Sequence, residues 1–146
     1  MRGPYHQLHV HLVWATWDRR PMLEPGSAEI VIRSIRAKCT ELGCVVIAIG
    51  LMPDHVHMLV RLRPSVPVSE LVRQVKGISS YQVNTSGNGQ RLRWQGGYGA
   101  FAVCRDHVEA VCSYVDNQAE RHAGDSLTTD LEISEADAGE DASASG

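Results

Sequence analysis

Two histidines stand two residues apart, His55 and His57, inside the strand-like apolar run 51-LMPDHVHMLVRL-62. Side chains in a strand alternate between faces, so both imidazoles point one way and Val56 the other. Two adjacent imidazoles can make a bidentate site for a divalent metal; the spacing fits equally well a pair of surface histidines on a sheet face. His9 and His11 repeat the spacing without a partner motif and read as strand residues that hold no metal. Further on, 114-YVDNQ-118 sets Tyr114 and Gln118 at i and i+4, one above the other on one face of a helix. A phenol can act as a covalent nucleophile once a metal polarises its target, and a glutamine carbonyl is a neutral oxygen ligand. The same tyrosine also suits a core or boundary position of an amphipathic helix.

The elements needed to hold these groups are legible around them. The alternating, aromatic and β-branched stretch 5-YHQLHVHLVWATW-17 predicts a first strand. A turn around Pro21 to Gly26 leads to a helix over 27–42, with Ser27 as N-cap and Gly43 as the stop. The run 44-CVVIAIGL-51, the break at Met52-Pro53-Asp54 and the strand His55 to Leu62 predict a hairpin. A second helix opens at Ser69 and runs to Asn84, and 85-TSGNGQ-90 is a loop. A fourth strand over 98–104 and a final helix over 106–122, capped by Asp106, complete the order β-α-β-β-α-β-α. That order predicts an α+β fold: a ferredoxin-like split β-α-β antiparallel sheet with an added C-terminal helix carrying Tyr114.

Four separated motifs, 52-MPDHVHMLV-60, 76-KGISS-80, 94-WQGGYGAFAV-103 and 114-YVDNQ-118, resemble the transposases of small bacterial insertion sequences. These are the single-tyrosine members of the HUH (histidine, hydrophobic, histidine) class, which includes the REP-associated tyrosine transposases. The stretch 10-VHLVWATWDRRPML-23 is similar to that family's first strand and following turn, and the resemblance spans about residues 5–122. It implies that His55, His57 and Gln118 hold one Mg²⁺ or Mn²⁺, and that Tyr114 attacks a phosphate to leave a 5′-phosphotyrosine and a free 3′-hydroxyl. It also implies single-stranded DNA with imperfect hairpins as substrate, and either a homodimer with composite sites in which the tyrosine helix reaches the partner's histidines or, as in some REP-associated relatives, a monomer. Asp116 stands where the family often carries a basic residue.

Candidate DNA contacts are Lys76 with Ser79 and Ser80, the arginines Arg61, Arg63, Arg91 and Arg93, and Trp94 as a stacking residue. Among the tyrosines, Tyr81 and Tyr98 are rivals to Tyr114, but neither has a glutamine four residues on. The rival functional readings are a domesticated nucleic-acid-binding module that no longer cuts, a host-encoded REP-type nuclease, and a metal-dependent phosphodiesterase that uses water.

The chain has 146 residues and a net charge of −3, which conceals an asymmetry. Residues 1–122 hold all 14 basic residues against 10 acids, a net +4, and are expected to form one transposase domain. Residues 123–146 hold seven acids, no base and no aromatic residue, and are expected to form a disordered acidic tail. No apolar run approaches the ~20 residues of a membrane span, which predicts a cytoplasmic protein. The four cysteines form no C-x-x-C pair and are expected to be buried free thiols.

Overall fold

The computed structural model describes residues 8–117. Gln118, the end of the expected last helix and the acidic tail lie outside the described residues.

Four strands, β1 (Leu8–Ala15), β2 (Val45–Met52), β3 (His55–Leu62) and β4 (Gly99–Val103), form one sheet in the order β2-β3-β1-β4. Every neighbouring pair is antiparallel. β1 and β2 are joined through helix α1 (Pro25–Glu41) yet separated in the sheet by β3, which is the expected split β-α-β arrangement. Helix α2 (Val68–Asn84) and the shorter α3 (Val108–Asp116) follow β3 and β4.

Alternation along the two central strands sorts the sheet into two faces. Leu12, Trp14, Val56, Met58, Val60 and Leu62 share a core with Val31 and Ile35 of α1 and Leu71, Val75 and Val83 of α2. The odd-numbered residues of β1 and β3 therefore face the other side, where α3 lies against β2 and β3. The candidate site sits under this single short helix.

Helix boundaries depart slightly from expectation. Ser27 is the third residue of α1 rather than its cap; its hydroxyl accepts the Glu24 N–H at 3.0 Å and donates to the Met22 carbonyl. Pro25 explains the earlier start, because its fixed φ and missing N–H suit the first helical position. Gly43 stops α1 as predicted: at φ +76° it allows Cys44 N–H to reach Cys39 O at 2.8 Å and its own N–H to reach Thr40 O at 3.1 Å. The last helix begins two residues after Asp106, behind a 3₁₀ turn over Arg105–His107. Of the free cysteines, Cys39 and Cys44 are buried as expected, whereas Cys104 is exposed and Cys112 half-buried. No described helix is long and apolar enough to cross a membrane.

Candidate active site

The β1–β3 register decides which histidines meet. His57 lies opposite Val13 and His11 opposite Leu59, so His11 and His57 are diagonal neighbours on the α3 side of the sheet. Their rings lie edge to edge, 23° from parallel with centroids 5.3 Å apart, and His11 Nε2 lies 3.1 Å from His57 Nδ1. The His55 ring stands at 71° to that of His57 with centroids 4.8 Å apart. With His55 4% and His57 0% exposed, the surface-pair reading fails. His11 is equally enclosed, and burial pulls its pKa down to about 4, which keeps the ring neutral at physiological pH.

Tyr114 comes down onto these rings from α3. It meets His57 edge-on, with centroids 5.6 Å apart, and His11 likewise at 5.9 Å. Val115, beside it, fills a small apolar cluster with Ala48 and Leu59, which anchors the helix to the sheet. Tyrosine and histidines thus meet within one chain, so exchange of helices with a second copy is not needed to bring Tyr114 to His57.

At the hairpin end of β3, His55 Nδ1 lies 2.7 Å from Asp54 Oδ1. Arg19 Nη2 also lies 3.4 Å from that nitrogen, but a guanidinium only donates, as does the ring nitrogen bonded to a carboxylate. The effective partner of Arg19 is Asp54 Oδ2, met by Nε at 3.0 Å. Burial alone would raise the Asp54 pKa; the hydrogen bonds from His55 and Arg19 outweigh it and hold the carboxyl below its usual range. Asp18 and Arg19 both take positive φ, 55° and 52°, in the short turn after β1. That turn is pinned by Thr16, whose hydroxyl donates to Arg20 O, and by Asp18 N–H, which reaches Gln95 Oε1 at 3.0 Å.

The proposed DNA contacts divide by location. Arg61 lies six residues along β3 from His55, roughly 20 Å at strand rise, and Arg63 beyond it rests beside Gly43. The extended strand carries both away from the histidines. Ser79 is fully buried, donating to Val75 O and receiving Trp94 Nε1 at 3.0 Å, so a phosphate cannot meet it without opening this junction. Ser80 bonds back to Lys76 O within α2. Lys76 Nζ reaches the carbonyls of Gln95 and Gly97, tying α2 to the loop before β4, and burial lowers its pKa. Trp94 packs edge-on against Trp14. Arg91 is exposed, and Arg93 lays its guanidinium 3.9 Å over the ring of exposed Trp17, in the turn that carries Arg19. Trp17, Asp54, Arg19 and His11 lie inside the stretches that carry the resemblance, yet the sequence alone assigns them no role in the site.

The donor set suits a divalent metal. Two buried imidazoles converge, and each has its Nδ1 engaged by a neighbour, an arrangement typical of metal-ligating histidines. Among the described residues no three His, Cys, Asp or Glu side chains cluster as a ligand set. Gln118, the third ligand that the resemblance implies, lies outside the described residues.

The sequence and fold match known proteins. Residues 4–118 match the family model described as "Transposase IS200 like". The ISDra2 transposase TnpA of Deinococcus radiodurans is 33% identical over 79 residues, 54% of this chain and 56% of that protein. The chain thus spans about half the length of that curated relative. A crystal structure of a Deinococcus radiodurans R1 protein assigned to the transposases superposes with TM-score 0.62 at 26% identity, over 81% of this chain and 95% of the other. The fold is also that of a REP-associated tyrosine transposase bound to a REP hairpin, with TM-score 0.65 at 15% identity over 84% and 73% of the two chains.

Proposed function

This chain belongs to the IS200-like transposase family, and from that premise we propose that it nicks and rejoins single-stranded DNA at hairpin-bearing element ends, with Tyr114 as nucleophile. The observation that carries this reading is the meeting of Tyr114 with His57 under α3, at a ring separation of 5.6 Å, with the His55 ring 4.8 Å from that of His57.

In this reading His55, His57 and Gln118 hold one Mg²⁺ or Mn²⁺. Two imidazoles and one amide oxygen suit Mn²⁺ at least as well as the harder Mg²⁺. The bound ion supplies Lewis-acid polarisation of a non-bridging phosphate oxygen. Tyr114 gives up its phenolic proton and its oxygen bonds to phosphorus; the bond from phosphorus to the 3′-oxygen breaks, and that oxygen takes a proton. The products are a 5′-phosphotyrosine and a free 3′-hydroxyl. A phenolate is a good leaving group, so attack by another 3′-hydroxyl reverses the step and rejoins strands without ATP. Arg19, at the site's edge, and Arg91 and Arg93 with Trp17 supply charge and an aromatic face for the strand. Lys76, held at the loop before β4, adds a positive charge there.

The test incubates the protein with Mn²⁺ and labelled hairpin DNA taken from the flanks of its own coding sequence. Label that moves onto the protein, and fails to do so with Tyr114→Phe, is the expected result. Cleavage that survives this substitution would replace the reading with a water-using phosphodiesterase. Binding without cleavage would make the chain a non-cutting nucleic-acid-binding module.

A further inference from the structure

We propose that His11 is a positioning residue for His57: it accepts the Nδ1 proton of His57 and thereby fixes the tautomer whose Nε2 carries a lone pair for a divalent cation. The inference rests on the metal-site reading above. A neutral imidazole has one N–H, and the nitrogen that carries it cannot ligate a metal. The 3.1 Å contact between His11 Nε2 and His57 Nδ1 can hold its proton in two ways. If His11 donates, the proton of His57 sits on Nε2 and closes that nitrogen to a metal. If His57 donates, its Nε2 is a ligand.

His55 meets the same requirement through a different group. Its Nδ1 lies 2.7 Å from Asp54 Oδ1, and a carboxylate only accepts, so the proton is on Nδ1 and the lone pair on Nε2. With His11 as acceptor, both ligands offer the same nitrogen. The contact is built rather than incidental: His11 is 2% and His57 0% exposed, and the ring planes lie within 23° of each other, as an in-plane N–H···N bond requires. The diagonal register of β1 and β3 holds them together. The second histidine pair along β1 thus supports the metal site through His11 without supplying a ligand.

Mn²⁺ titrated calorimetrically into the metal-stripped full chain tests this. His11→Leu is expected to weaken Mn²⁺ binding by about 10–100-fold. His11→Gln, whose amide oxygen can accept where Nε2 stood, is expected to retain most of the affinity, which a purely space-filling role would not predict. Metal-free thermal melts check that each variant folds. Should the Leu variant fail to fold, long-range ¹H–¹⁵N spectra of the wild-type histidines report the tautomer directly; a proton on His57 Nε2 would overturn the proposal, and one on Nδ1 supports it. A folded His11→Leu that binds Mn²⁺ as tightly as wild type, while His57→Ala does not, would overturn the positioning role alone. Undiminished binding by His57→Ala would overturn the metal reading and this inference with it.

Discussion

The ring of Tyr114 stands at 83° to that of its own chain's His57, and the tyrosine is only 6% exposed. The proposed nucleophile and the proposed metal ligand are thus packed together within one chain. Mixing Tyr114→Phe with His57→Ala protein should therefore restore no DNA–protein adduct on a denaturing gel, because each chain lacks half of its own site. Recovered adduct would mean that the tyrosine acts on a second copy's histidines.

Trp17, 39% exposed, is held beneath Arg93 in a turn whose backbone is fixed on both sides. An unpaired base stacking there gains about 1–3 kcal/mol. Trp17→Ala should weaken binding of labelled single-stranded DNA by that amount, read by anisotropy in EDTA so that no cleavage intervenes. Arg93→Ala should also flatten the salt dependence by about 0.7 in log–log slope for each phosphate that the arginine no longer neutralises. Unchanged affinity in both variants would exclude the pair from the DNA path.

Gly43 holds φ +76°, and a Cβ there would sit 2.9 Å from Arg63 Cδ. Gly43→Ala should cost about 1–2 kcal/mol in urea unfolding, chiefly from the left-handed backbone. The arginine is flexible and can retreat, so the same substitution in an Arg63→Ala background should cost nearly as much. A loss that vanishes in that background would place the cost in the side-chain clash instead.

Burial pushes the Cys39 thiol up to about 12, with Cys44 adding to the effect and Arg36 opposing it. Between about pH 9 and 12 the unfolded chain releases this proton while the native chain keeps it, so this group lowers stability as pH rises through that window. Alkylation near pH 8.5, followed by peptide mass spectrometry, should label exposed Cys104 and spare Cys39. Equal labelling of both would contradict the native burial of Cys39.

Local pattern carries the strands and the stop at Gly43, because alternation and a glycine after a helix are read within a few residues. The identity of the His55–His57 pair is equally local. Ser27 misleads as a cap because Pro25, two residues earlier, already satisfies the first turn. His11 is hidden for a different reason. The role proposed for it depends on which β3 residue it lies beside, and that register is set by a pairing 46 residues apart in sequence. Arg61 shows the reverse: it is close to His57 in sequence, but an extended backbone carries it roughly 13 Å along the sheet.

Strand β3 packs on both faces, its even residues in the two-helix core and His57 and Leu59 against α3, and only Arg61 among its eight residues is exposed. A half-solvated strand usually accepts drift at every second position, which gives it a reserve of harmless variation. Here that reserve is nearly absent: changes at Val56, Met58 or Val60 erode the fold, and changes at His55 or His57 strike the proposed metal site. A saturation survey of the gene would find β3 almost uniformly intolerant, with a single permissive gap at position 61.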